Sequence, residues 1–353
     1  MANAISANPD LSCQRRGALG HIELQRPQAL NAISHGMVAA IDAALDEWEH
    51  DSSVRAIVVS AAPGRAFSAG GDIRHLYDLG RAGDHDAQMA FWRDEYALNL
   101  RISRLAKPYI ALVDGLVMGG GVGVALHGSH VVAGDGWQFA MPEVGIGFFP
   151  DIGASYFLPR LPGASGMRLA LTGARVGANE AKALGLATHR CASEEQPRLL
   201  DALAAGESVA RLLPTGNIRP QSNLSPQLEH AYRGTSLADI MTRLAALAPA
   251  DAIAAADLAA LRRHSPTSLS VAFRQMQLGG GLDLAQALAM ELCIVSHLCR
   301  DSDFYEGTRA MTIDKDKAPH WKPDSLEGVD HAHIDAWFAA PWQPGWPTAR
   351  MTP

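Results

Sequence analysis

Cysteine is scarce in this chain of 353 residues: Cys13, Cys191, Cys293 and Cys299 are scattered, with no CxxC pair and no zinc-ligand spacing. That usage excludes a disulfide scaffold and fits thiols kept in a reducing compartment. A surplus of positive charge is also lacking. Thirty Lys and Arg stand against 37 Asp and Glu, a formal charge of -7, which removes the general basic face that nucleic acid demands and leaves room for no more than a local basic pocket. No uninterrupted apolar run of about 18 residues occurs, so a membrane span is not expected. The opening MANAISANPD has neither a basic segment followed by an apolar run nor an Arg-rich amphipathic pattern, and a cytoplasmic location is expected. What is present, 48% hydrophobic and 19% charged residues, is the composition of an enzyme-sized globular chain.

Along the first half, strand and helix patterns alternate. LGHIELQRP reads as a strand, ALNAISHGMVAAIDAALDEWEHD as a helix and VRAIVVSAA as a strand, followed by a glycine-bearing loop. KPYIALVDG is again a strand, MGGGVGVALHGS a glycine turn opening a helix, HVVAGDGWQFAM strand material, and MRLALTG and NEAKALGL short helices. Repeated units of this kind predict an α/β layered core over residues 12–200. From 201 to 340 the strand signals stop, and Ala- and Leu-rich segments such as LADIMTRLAALAPADAIAAADLAALRR predict an all-helical C-terminal region, with HSPTSLSVAFRQM opening a helix on hydroxyl capping chemistry. The proline-rich residues 341–353 predict an irregular tail.

Two loops could hold an anion. FSAGGDIR (67–74) and VMGGGVGVAL (117–126) each follow a strand and open a helix, so that backbone N–H groups can converge on a ligand oxygen at the positive end of a helix. Either loop alone is equally a tight strand-to-helix turn. Neither has the GxGxxG register with a later acid, nor a following GKS or GKT, which disfavours a nucleotide site. Ser68 and Ser155 lie in no GxSxG elbow, which disfavours a serine triad. His127 and His130, three apart with no acid nearby, do not make a metal site.

Three acids sit in apolar surroundings. Glu143 and Asp151 belong to AMPEVGIGFFPD, otherwise almost wholly apolar; Glu95, in FWRDEYALNLRISRL, shares a helical stripe with Leu98, Ile102 and Leu105. Buried acids need partners or work to do. Read alone, Glu143 is a loop carboxylate and Asp151, ahead of the helix-like IGASYFL, an N-cap.

Taken in order, FSAGGDI, KPYIALVDGLVMGGGVG and AMPEVGIGFFPD resemble the crotonase (enoyl-CoA hydratase/isomerase) superfamily, whose members stabilise a coenzyme A thioester enolate or tetrahedral oxyanion between two backbone N–H groups. RDEYALN (93–99), FPDIGASYFLPRL (149–161), LALTGARV (169–176), SPTSL (265–269) and DFYEGTRAMTIDKDKAPHWKP (303–323) carry the resemblance over residues 18–338 and narrow it to hydrolases of short 3-hydroxyacyl-CoA thioesters, 3-hydroxyisobutyryl-CoA first.

The resemblance implies a crotonase-type ββα spiral core with a C-terminal helical region. It places the oxyanion hole on the N–H groups of Gly71 and Gly120. It makes Glu143 the nucleophile or general base, Asp151 its assistant, and Glu95 the acceptor of a hydrogen bond from the substrate 3-hydroxyl. Hydratases of the superfamily carry a second acid on the helix after the glycine run; here that position is Gly123, and Asp151 stands where many of them carry glycine. No metal or redox cofactor is implied, since coenzyme A arrives within the substrate. The partner expected is an acyl-CoA, with no nucleic acid and no membrane; the oligomeric state is left open, a homo-oligomer among the possibilities. Arg309, Lys315 and Lys317 are candidates for the coenzyme A phosphates. The alternatives are a hydratase or isomerase using Glu143 alone, or a non-catalytic acyl-CoA-binding or RNA-binding member.

Overall fold

Parallel strands covered on both faces read as unbroken apolar runs, and AIVVSA and YIALV are such runs. In the computed structural model, which describes residues 8–214, 216 and 219–339, both become central strands. The expected tail at 341–353 lies outside the described residues. The strands are β1 (Leu11–Arg16), β2 (Leu19–Leu24), β3 (Ala56–Ala61), β4 (Ala66–Ser68), β5 (Tyr109–Val113), β6 (Leu116–Met118), β7 (His130–Ala133), β8 (Gln138–Ala140), β9 (Val176–Gly177) and β10 (His189–Arg190). One sheet has the order β1-β2-β3-β5-β7-β10, parallel throughout except for the β1–β2 hairpin; a smaller sheet runs β4-β6-β8-β9. After β10 the described residues form helices and loops only, as the sequence predicts.

The first helix is shorter than its sequence pattern. It spans His35–His50, starting where the Ser34 hydroxyl accepts the Met37 N–H, rather than at Ala29. The preceding residues are diverted because Leu30 and Asn31 are left-handed, and the Asn31 amide ties Arg26 N–H to the Ala66 carbonyl. The FSAGGDIR loop likewise contains structure: its first residues complete β4, and a helix Ile73–Arg81 follows.

Two compact units emerge, each discontinuous in sequence. The first comprises residues 1–72, 94–139 and 176–221 and holds the sheets, with a core in which Leu19, Val58, Ile110 and Val132 meet Leu200 and Leu203. The second comprises 73–93, 140–175 and 222–353; its core joins Val144 and Leu171 to Leu228, Ile240, Leu244, Leu258 and Leu269. Inside it the Arg168 guanidinium grips Asp257 at 2.7 and 3.0 Å while the Tyr232 hydroxyl donates to the same carboxylate at 2.7 Å, so this buried charge is fully engaged. Among the described residues no helix is long and apolar enough to cross a membrane, and all four cysteines are free thiols.

Candidate active site

In the first unit the two glycine loops meet. A Cβ built on Gly120 would stand 3.2 Å from the Gly71 nitrogen, and one on Gly70 would stand 3.9 Å from the Gly120 nitrogen. Gly120 opens the helix Gly120–Leu126, where the first N–H groups have no intrahelical acceptor. Among the described residues neither the Gly71 nor the Gly120 amide donates to a carbonyl. The same imagined Cβ on Gly120 would collide with the Glu95 carboxylate and crowd the Gly71 nitrogen. Glu95, on the helix His85–Arg104, is 2% exposed. Gly71, Gly120 and Glu95 are thus brought together within one unit.

One turn further along both helices a second pair forms. Asn99, four residues after Glu95, places its amide against Gly123: a Cβ there would lie 2.7 Å from Oδ1 and 2.9 Å from Nδ2. Asn99 is fully buried, and neither amide atom has a hydrogen-bond partner among the described residues. Where the sequence resemblance would put a hydratase's second acid, a neutral amide is pressed on a bare backbone. Nothing but its place in the apolar stripe of RDEYALN signals this in the sequence.

The second unit holds Glu143 and Asp151. Glu143 begins a 3-10 turn, Glu143–Ile146, that ends on the left-handed Gly147, whose missing Cβ makes room for the Asp303 carbonyl. Its carboxyl is 6% exposed, and Oε2 is buried without a hydrogen-bond partner among the described residues. Burial first, and then the negative charge of Asp151, push Glu143 well above the ordinary carboxylate range. The intervening FF is pinned by aromatic packing: Phe148 stacks on Trp92 at 5.6 Å and on Phe149 at 4.8 Å.

Asp151 is not the cap its position suggests. The short helix Ala154–Phe157 is capped by left-handed Gly153, with no side-chain hydrogen bond from the capping residue. The amides of Gly153 and Ser155 donate instead to Glu291, at 2.7 and 2.8 Å, a residue far away in sequence. Asp151 itself is 5% exposed, between Pro150 and a left-handed Ile152.

Other candidates are committed elsewhere. The Arg309 guanidinium, a candidate for the coenzyme A phosphates, is paired with Glu306, Asp314 and Asp316. The Ser68 hydroxyl accepts the Gly70 N–H, and that of Ser155 accepts from Gln275. His130 stacks on His189 at 5.6 Å.

Residues 19–338 match a family model described as enoyl-CoA hydratase/isomerase. The chain is 40% identical to a 3-hydroxyisobutyryl-CoA hydrolase, mitochondrial, from Xenopus laevis, over 92% of this chain and 88% of that one. Among solved structures, a carnitinyl-CoA dehydratase from Mycobacterium thermoresistibile matches with a TM-score of 0.87 at 35% identity, covering 96% of this chain and 98% of its own. An enoyl-CoA hydratase from Rhodobacter sphaeroides 2.4.1 matches at 0.84 and 37%, covering 94% and 97%. The expected cytoplasmic location is overturned by these relatives: the Xenopus laevis protein and its namesakes from Xenopus tropicalis, Danio rerio and Homo sapiens are all mitochondrial by name. Free thiols and the lack of a membrane span do not separate one reducing compartment from another.

Proposed function

The chain belongs to the enoyl-CoA hydratase/isomerase family, and on that premise we propose that it hydrolyses 3-hydroxyisobutyryl-CoA to the free 3-hydroxy acid and coenzyme A, a step of valine breakdown. Hydration of an enoyl thioester requires one group to deprotonate water and another to deliver a proton at the neighbouring carbon. Thioester hydrolysis requires attack at the carbonyl carbon, a home for the charge that grows on its oxygen, and release of the thiolate.

The observation that carries the hydrolase reading is Gly123, where the Asn99 amide takes the space of a hydratase's second acid while Asp151 adds a carboxylate to the Glu143 loop. In this reading the Gly71 and Gly120 amides receive the thioester oxygen. One such donor is worth about 2.7 to 4 kcal/mol of barrier. Glu143 attacks the carbonyl carbon itself or removes a proton from an attacking water, and burial together with Asp151 raises its proton affinity. Carbon–sulfur cleavage then frees coenzyme A as a thiolate that takes up a proton; where Glu143 was the nucleophile, water hydrolyses the mixed anhydride it leaves, releasing the free acid and the Glu143 carboxylate. Asp151 orients the attacking group and assists that transfer, and Glu95 accepts the substrate 3-hydroxyl.

The names of the two solved structures favour a second reading, hydration through Glu143 alone. A thiol reagent separates the two. Hydrolysis of 3-hydroxyisobutyryl-CoA liberates thiol, whereas a hydratase changes enoyl absorbance without liberating any, and a binding protein does neither. Glu143→Gln and Asp151→Asn are each expected to lose at least about 100-fold in turnover. Near-normal turnover in both overturns the assignment.

A further inference from the structure

The loop carrying Asp151 is held from both sides by buried residues that have no part in the chemistry just described. Gln275, on the helix Pro266–Gly279, donates Nε2 to the Pro150 carbonyl, immediately before Asp151, and to Ser155 Oγ at 2.6 Å. Glu291, on the helix Leu284–Leu298, receives the Gly153 and Ser155 N–H groups, immediately after Asp151, and Gln275 Nε2 lies 3.4 Å from its Oε1. Both side chains are 0% exposed.

Burying a carboxylate is costly, and capping a helix of four residues does not require one, since a serine or aspartate in the loop itself would serve. The backbone between the two anchors is also strained. Ile152 and Gly153 are consecutive left-handed residues, at φ 54° and 87°, and a β-branched residue holds that conformation only where its surroundings over-determine it.

We propose that Glu291 and Gln275 are positioning residues for the thioester hydrolysis: by fixing Pro150 and the Gly153–Ser155 turn they set the direction in which Asp151 presents its carboxylate. The inference rests on the hydrolase reading above.

The test is a double-mutant cycle on thiol release from 3-hydroxyisobutyryl-CoA, with kcat and KM measured separately. Glu291→Gln keeps the shape but turns an amide N–H₂ toward one of the two backbone donors. It is expected to lower kcat by about 10- to 100-fold, the scale of a small misplacement of a reacting group, with KM changed by less than about threefold. Glu291→Asp, which keeps a carboxyl group to accept from the backbone N–H groups, is expected to recover part of the loss. In an Asp151→Asn background the same Glu291→Gln change is expected to cost less than about threefold, because no carboxylate remains to be aimed. Gln275→Leu should follow the same pattern, and it carries the cycle if Glu291→Gln shows no cooperative thermal transition. A full-sized loss persisting beside Asp151→Asn, a loss confined to KM, or an undiminished kcat in a folded Glu291→Gln protein each overturns the proposal. Wild type that releases no thiol overturns the hydrolase reading and this inference with it; active wild type with additive losses overturns this inference alone.

Discussion

At the scale of single residues, the site is set by how deeply its acids are buried. Glu143 is pushed up by burial first and by Asp151 second, and it must be ionised to act. The kcat/KM profile should therefore rise with pH through a midpoint well above the ordinary 4.5. In Asp151→Asn the like charge is gone and the burial remains, so the midpoint of the residual activity should fall part of the way back; a midpoint already at the ordinary value in wild type would refute the burial argument. Gly120→Ala forces a methyl against the Glu95 carboxylate and the Gly71 nitrogen. A loss of about 100-fold in kcat is expected, comparable to removing one oxyanion donor. The glycines and the three acids are legible in the sequence because glycine runs after strands, and acids set in otherwise apolar stretches, are conspicuous. Asn99, Gln275 and Glu291 are not, because an amide or acid inside a helical stripe looks the same whether it faces a partner, a glycine or a distant loop.

At the scale of elements, the hydroxyl before Pro266 serves two segments at once. Ser265 Oγ accepts the Ser268 N–H, capping the helix Pro266–Gly279, and donates to Asp303 Oδ2 at 2.6 Å. Ser265→Ala removes a cap worth about 1 kcal/mol and a donor to a buried carboxylate worth about 1 to 3 kcal/mol, so a stability loss of about 2 kcal/mol or more is expected in urea unfolding. A loss under about 0.5 kcal/mol would show that neither bond matters. The cap is local chemistry and was readable from HSPTSL. Its bond to Asp303 joins residues 38 apart and was not. The late start of the helix His35–His50 has the same origin: the apolar pattern runs on through Leu30, while the Asn31 side chain bonds to a strand that only the folded chain supplies.

At the scale of the whole molecule, several buried acids keep their protons longer than an unfolded chain would. Burial raises Glu143, raises Glu291 to about 8 and Asp303 to about 6, while their ordinary values are 4.5 and 3.8. Between those limits the native state holds more protons than the unfolded one, so stability falls as pH rises. His21 and His264, lowered by burial from 6.5, act in the opposite sense below that value, which leaves the decline clearest between about pH 6.5 and 8. Urea midpoints across that window should decrease in wild type and decrease less in Glu291→Gln; a flat wild-type profile would show that Glu291 is not protonated at pH 7. The α/β core and the helical C-terminal half follow from periodicity, a local property. The division into compact units does not, because it depends on which distant segments pack together. That division has a bearing on synthesis. Since the first unit takes its last segment from residues 176–221, and the second waits for everything after 222, a ribosome releases 73–93 and 140–175 long before the helices that cover them exist. Nascent chains stalled just past residue 221 should expose apolar surface and engage chaperones, a vulnerability that a chain of sequentially closed domains avoids.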